Sequence, residues 1–127
     1  QLLWIIFENL LINGIYHGVD KTRGSSEIRI GIRRKQIPGG LTFIIEDDGP
    51  GITKHELKTV FHLFSRGRVS IQKQVPGSGL GLHIVKRITE QLGGTIAIES
   101  PYKDMAEQAR QGCRFILFLP LKVKDEE

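Results

Sequence analysis

Glycine clusters stand at Asp47-Asp48-Gly49-Pro50-Gly51-Ile52, at Gly77-Ser78-Gly79-Leu80-Gly81-Leu82 and at Gly112. Glycine permits positive φ and close backbone approach, so a cluster that opens a helix aims free N–H groups at an anion, with the helix dipole assisting. Phosphate is the guest such a cluster suits. The familiar phosphate motifs nevertheless fail: there is no GxxxxGK[ST], and GxGxxG begun at Gly49, Gly77 or Gly79 meets Lys54, Leu82 or Ile84 where its last glycine belongs. That argues against a P-loop or a Rossmann site. Asp47 ends a strand-like stripe of Leu41, Phe43 and Ile45. A carboxylate there must find a donor, and an exocyclic amine at the back of a dry pocket would serve. The plainer alternative is that the Asp-Asp-Gly-Pro-Gly run is only a turn. Asn9 and Asn13, one helical turn apart, are likewise either a metal and phosphate platform or a polar helix edge. On these residues alone both pairs of readings stand open.

Other chemistry is easier to set aside. The histidines His17, His55, His62 and His83 lack metal-ligand spacing, because His55-Glu56 has no second histidine where HExxH requires one; they read as surface or pocket-edge residues. Arg29, Arg33, Arg34 and Lys35 alternate along a strand and read as a solvated face rather than a nucleic-acid surface. The net charge of +4 suits an anionic ligand without demanding DNA or RNA. A single cysteine, Cys113, excludes an internal disulfide and a cysteine zinc cluster, and a reducing compartment is expected. The apolar run at residues 2–7 is cut by Glu8-Asn9, well short of the roughly 18 to 20 residues of a membrane span. The chain opens on Gln1 inside a helical pattern, so a fragment of a longer protein is expected.

These residues must be held by a single folded unit. With 127 residues, 39% hydrophobic and 25% charged, the composition is ordinary for one globular domain. Residues 1–19 read as a helix buried on more than one side, with Asn9, Asn13 and Tyr16 on one stripe. After a polar loop at 20–26, Ile28, Ile30 and Ile32 alternate with polar positions as a half-buried strand. Pro38-Gly39-Gly40 turns the chain into an antiparallel partner strand at 41–47. Thr53-Lys54-His55-Glu56 is a capping box, followed by Leu57, Val60, Phe61 and Phe64 at helical spacing. Residues 65–78 carry Arg66, Arg68 and Lys73 without periodicity and suggest a mobile basic loop. A third helix starts near Leu80, with Ile84, Val85, Ile88 and Leu92 inward, and stops at Gly93-Gly94. Residues 95–100 and 113–121 are strand-like, 103–111 are open between a short helix and a loop, and 122–127 are a charged tail. The expected architecture is α+β: a two-layer sandwich, its mixed and mainly antiparallel sheet packed under three helices.

The order and spacing of these pieces resemble the ATP-binding domain of sensor histidine kinases, in the superfamily that also holds DNA gyrase and the MutL mismatch-repair ATPase and shares the Bergerat fold. Asn9 to His17 is similar to the N box of that family, Asp47 to Ile52 to its DxGxGI box, and Phe61 to Arg66 to its FxxFxR box. Gly77 to Leu82 with Ile84-Val85-Lys86 is similar to the GxGLGLxIVK box, and Gly112-Cys113-Arg114-Phe115 to the last glycine box. The boxes cover residues 1–121, which the resemblance makes the ATP-binding domain.

The resemblance implies that Asp47 receives the adenine amino group and that Asn13, the catalytic asparagine, coordinates the magnesium ion bridging the phosphates. Asn9 supports phosphates and metal, Gly79, Leu80, Gly81 and Leu82 present N–H groups to them, and residues 65–78 form a lid. Tyr16, His17, Gly49, Gly51, Ile52, Phe64, Arg66, Lys73, Gly77 and Cys113 complete the implied nucleotide contacts. The expected cofactors are ATP and Mg²⁺. The expected partners are a histidine phosphoacceptor and dimerisation domain and, through it, a response regulator. No nucleic acid or direct membrane contact is expected, and the implied setting is cytoplasmic, with this fragment a monomer.

The sequence also departs from the family pattern. Tyr16 stands where the N box ordinarily has lysine, so a phosphate contact is either lost or taken over by Arg66, Arg68 or Lys73 of the lid, and Cys113 stands where threonine is usual. Hydrolysing relatives carry a general-base glutamate at the place of Asn9. Glu8 is one position away, about 100° around the helix, which favours a kinase over a hydrolase. Finally, His55-Glu56-Leu57-Lys58-Thr59 nearly spells the phosphoacceptor motif, but Val60 replaces its proline, and the spacing places His55 on the solvent side of the second helix.

Overall fold

The computed structural model describes residues 2–17, 27–62, 81–104 and 106–121. Helix α1 spans Leu2–His17, and strands β1 (Ile28–Lys35) and β2 (Gly40–Asp47) form an antiparallel hairpin. A single helical turn, α2 (Lys54–Leu57), follows, then α3 (Gly81–Gln91), β3 (Thr95–Glu99), the short strands β4 (Tyr102–Lys103) and β5 (Ala109–Arg110), and β6 (Arg114–Leu119). The main sheet runs in the order β1-β2-β6-β3 and β4 pairs with β5 in a separate ribbon. Every pairing among the described strands is antiparallel.

Register explains the layers. Period-2 alternation puts Phe43 and Ile45 of β2 on the same face as Phe115, Leu117 and Leu119 of β6, and α1 and α3 cover that face with Ile6, Leu10, Val85 and Ile88. Phe7 of α1 meets Phe43 edge-on, with ring centroids 4.8 Å apart. On the opposite face Arg29, Glu46, Arg114 and Glu99 stand in one cross-strand row of alternating sign. Arg114 Nε donates to Glu46 Oε2 at 2.8 Å. One side of the sheet is therefore apolar and the other is laced by charge.

Several expectations are corrected. Helix α1 is fully buried at Ile6 and Leu10 and packs Leu3, Ile5 and Phe7 around them, but Leu2, Ile12 and Ile15 are exposed and Trp4 is 64% exposed. The sheet and α3 cover only part of its circumference, and these four residues lie on the part that neither covers. Strand β1 is half-buried only at Ile28 and Arg29, and Ile32 is 62% exposed, because β1 pairs on one side alone at the sheet edge. The second helix does not continue to Phe61. After Leu57 the bonds tighten to Thr59 N to Glu56 O at 3.1 Å and His62 N to Thr59 O at 2.9 Å, the three-residue spacing of turns. Ile84 is 37% exposed rather than inward. The buried face of α3 is made instead by Val85, Ile88 and Thr89, whose hydroxyl donates to Val85 O at 2.7 Å and so enters the core satisfied. Residues 103–111 are neither helix nor plain loop, since the ribbon β4–β5 occupies them. The lid at 65–78 and the tail at 122–127 lie outside the described residues. Among those that are described, no helix is long and apolar enough to cross a membrane.

Candidate functional site

The hairpin delivers Asp47 to the end of β2, where it is only 5% exposed. Its main-chain N–H donates to Cys113 O at 2.9 Å. One carboxylate oxygen, Oδ1, accepts from Gly49 N at 2.9 Å and from Cys113 N at 3.3 Å. The other, Oδ2, has no hydrogen-bond partner among the described residues. Burial pushes the Asp47 carboxyl above the ordinary carboxylate range, and the two backbone N–H groups oppose that shift. The result is a fixed carboxylate with one edge satisfied and one edge able to accept from a ligand.

Gly112 makes this arrangement possible. A Cβ on residue 112 would lie 1.9 Å from Asp47 O and 2.7 Å from Asp47 Oδ1, so only glycine lets the start of β6 close on the end of β2. Ile52 N donates to Ser100 Oγ at 2.8 Å, and Ser100 Oγ donates to Gly112 O at 2.9 Å, which pins the far end of the 47–52 loop. Gly51 fits against Gln111 O in the same seam. Cys113 is 6% exposed, and burial pushes its thiol up to about 11. It is packing beside the carboxylate, not a nucleophile.

Across the helical layer, Asn9 is half-buried and donates from Nδ2 to Ile5 O at 2.7 Å. Its Oδ1 would be 2.9 Å from a Cβ placed on Gly81, the first residue of α3. The N-box helix and the start of α3 are thus drawn together, with the first-turn N–H groups of α3 beside Asn9. Asn13 is half-buried one turn further along α1, and Leu82 packs against the core beneath. Tyr16 and His17 close the last turn of α1. At the other side of α3, His83 Nδ1 lies 3.3 Å from Phe61 O, which ties the aromatic turn after α2 to this helix. Phe64, Arg66, Lys73, Gly77, Gly79 and Leu80 lie outside the described residues.

The sequence reading missed the support around Asp48. Arg29, taken as part of a solvated basic face, grips Asp48 through Nη1 at 3.1 Å and Nη2 at 2.9 Å and also donates to Tyr102 Oη at 2.8 Å. Tyr102 Oη in turn donates to Asp47 O at 3.2 Å. The adjacent carboxylates were a usable signal: with Asp47 committed to the apolar face, alternation sends Asp48 toward the charged face, where a strand arginine is the natural partner.

The family model for histidine kinase-, DNA gyrase B- and HSP90-like ATPases matches residues 1–123, and the chain belongs to that family. It is 34% identical to the sensor protein RprX of Bacteroides fragilis over 92% of this chain and 21% of that protein. It is 34% identical to the sensor histidine kinase AruS of Pseudomonas aeruginosa over 79% of this chain and 10% of that one. The chain thus spans about a fifth or less of the length of these relatives. Among solved structures, the mycobacterial sensor histidine kinase MprB superposes with a TM-score of 0.57 at 32% identity, over 75% of this chain and 59% of that chain. Full-length ShkA in complex with AMPPNP superposes with a TM-score of 0.68 at 22% identity, over 94% of this chain and 21% of that chain, a likeness of fold. The two-layer α+β architecture is that of the kinase ATPase domains.

Proposed function

We propose that residues 1–121 form a domain that binds Mg-ATP and passes its γ-phosphoryl group to a histidine on a separate dimerisation and phosphoacceptor domain of a cytoplasmic kinase module, with a response regulator downstream. The observation that carries this reading is the buried Asp47 carboxylate, tied at Oδ1 by two backbone N–H groups and left with Oδ2 to accept the adenine amino group. Gly49, Gly51, Ile52 and Cys113 shape the wall around the base. The AMPPNP bound in the ShkA structure and the sensor-kinase relatives support the same assignment.

The phosphates belong at the other end, where Asn9 meets the first turn of α3. N–H groups at a helix start neutralise phosphate charge without a side chain, and Gly79, Leu80, Gly81 and Leu82 take that role. Asn13 supplies an amide oxygen, a hard donor of the kind Mg²⁺ accepts. No group of three acidic, histidine or cysteine ligands is gathered among the described residues. A magnesium ion here would therefore take most of its coordination from phosphate oxygens and water, its ordinary habit. Tyr16, His17, Phe64, Arg66, Lys73 and Gly77 are assigned to the same phosphate end.

Transfer then requires positioning and charge neutralisation more than a nucleophile from this domain. The bond from the γ-phosphorus to its bridging oxygen breaks as an imidazole nitrogen of the receiving histidine bonds to phosphorus, and ADP leaves with the electron pair. Hydrolysis by this chain is disfavoured: Glu8 is exposed, whereas Asn9 occupies the position beside α3. A nucleotide-responsive module without transfer activity is the rival reading, resting on Tyr16 where lysine is usual.

Titration calorimetry with ADP, and with ATP in the presence and absence of magnesium, tests the binding. Asp47→Ala should weaken ADP by tenfold or more, since hydrogen bonds to charged groups are worth about 1.5 to 3 kcal/mol. Unchanged affinity refutes the base assignment. Transfer of labelled phosphate from ATP to an added phosphoacceptor domain separates the kinase from the rival reading.

A further inference from the structure

The excursion between β3 and β6 is fastened to the 47–52 loop along its length. Tyr102 Oη donates to Asp47 O at 3.2 Å, Gln111 Nε2 to Pro50 O at 3.3 Å, and Ser100 Oγ accepts from Ile52 N at 2.8 Å. Of these side chains Tyr102 is the most enclosed, with its ring under the Arg114 guanidinium at 5.0 Å and its residue buried. The direction of its hydroxyl proton follows from chemistry. Arginine can only donate, so Arg29 Nη2 at 2.8 Å takes a lone pair of Tyr102 Oη, and the single tyrosine proton goes to Asp47 O.

We infer that Tyr102, held by the Arg29–Asp48 pair, is a positioning residue that sets the orientation of the Asp47 carboxylate and so the selectivity for a 6-amino purine over a 6-oxo purine. This rests on the reading of Asp47 as the base-reading group. The plane that carries the Gly49 N–H joins, at the Asp48 Cα, the Asp47–Asp48 peptide plane that carries the Asp47 carbonyl. If that plane turns, the Gly49 N–H swings away from Oδ1, and the carboxylate loses one of the two donors that fix it. The bidentate Arg29–Asp48 grip holds the next residue of the same segment, so the plane is restrained from both sides. A ring that merely filled space would restrain the ribbon but not this plane.

Tyr102→Phe keeps the ring and removes the hydroxyl. Binding of ADP and of inosine diphosphate, in which an oxo group replaces the 6-amino group, is measured by calorimetry on the whole chain, together with thermal melting. The wild-type chain should prefer ADP, and Tyr102→Phe should weaken ADP about 3- to 10-fold while leaving inosine diphosphate unchanged, so that the preference narrows. Lost stability alone lowers the folded fraction for both ligands and does not move their ratio. An unchanged ratio in a folded Tyr102→Phe overturns the inference while leaving Asp47 as the base reader. A wild-type chain that binds both nucleotides equally overturns the Asp47 reading, and the inference with it. Should Tyr102→Phe fail to fold, Arg29→Lys, which replaces the two-pronged grip on Asp48 by a point charge, must narrow the ratio in the same way, and an unchanged ratio there overturns the inference. Lys103→Ala, on the exposed side of the same ribbon, should behave as wild type.

Discussion

Replacing Gly112 by alanine tests whether the two strand ends close as tightly as the geometry demands. The added Cβ would sit 1.9 Å from Asp47 O, 2.6 Å from Asp47 C and 2.7 Å from Asp47 Oδ1. Ordinary contacts begin near 3.4 Å, so relief requires a displacement on the order of 1.5 Å. Two of the three atoms are main chain, so a rotamer change cannot supply it. A shift of that size stretches Cys113 N to Asp47 Oδ1, now 3.3 Å, and Asp47 N to Cys113 O, now 2.9 Å, beyond hydrogen-bond reach. Overpacking of this kind costs about 1 to 3 kcal/mol of stability. Loss of a bond to the charged carboxylate removes about 1.5 to 3 kcal/mol from whatever depends on its placement. The expected outcome is a chain that still melts cooperatively, at a lower temperature, and binds ADP at least tenfold more weakly in calorimetry. Gly39→Ala is the matched control, because a Cβ there meets nothing closer than Gln36 O at 3.9 Å. A Gly112→Ala chain that keeps ADP affinity within twofold and melts like Gly39→Ala would refute the close approach and the base pocket built on it.

Further expectations address the metal, the pH response and the acceptor. Asn13→Ala should abolish the magnesium-dependent part of ATP binding and all transfer to an added acceptor while leaving ADP binding without metal intact; full transfer activity would remove Asn13 from the metal. Because burial raises the Asp47 carboxyl above the ordinary carboxylate range, ADP affinity should fall as pH drops through that raised range, and the fall should vanish in Asp47→Asn. Stability has the opposite sense: folded Asp47 binds a proton more tightly than unfolded Asp47, so its contribution is greatest below the unfolded value and is lost as pH rises through the folded one, a slope that melting in Asp47→Asn should remove. His55 is exposed in the single turn of α2, and mixing with labelled ATP should leave it unmodified; an acid-labile phosphate mapped to His55 would overturn its reading as a bystander.

Much of the fold is written in short-range pattern. The alternation around Ile28 and Phe43 with Pro38-Gly39-Gly40 between them gave the hairpin, and Thr53-x-x-Glu56 gave α2, whose Thr53 Oγ1 accepts from Glu56 N at 3.2 Å. What pattern does not carry is what lies opposite a face. In α1 most positions from Leu2 to Ile15 are apolar, so periodicity cannot say that Ile6 and Leu10 are fully buried while Leu2, Trp4, Ile12 and Ile15 stay exposed. Ile30 and Ile32 of β1 alternate correctly with Ile28 yet stay exposed, because alternation records which residues share a face and not whether an element covers it. Thr89 entered the core unannounced since its hydroxyl is satisfied by its own helix.

The candidate site divides along the same line. Its contacts join Asp47 to Cys113 and Asp47 to Tyr102, pairs far apart in the chain. Gly112 was legible all the same, because the close approach of two backbones forbids a side chain, and an absent Cβ is recorded at one position whatever the distance to its partner. Tyr102 was not, because a tyrosine satisfies many environments and its bond to Asp47 leaves no mark on the residue's neighbours. Steric exclusions in this domain are therefore readable residue by residue, whereas its hydrogen-bonded supports emerge only when the ribbon and the hairpin are brought together.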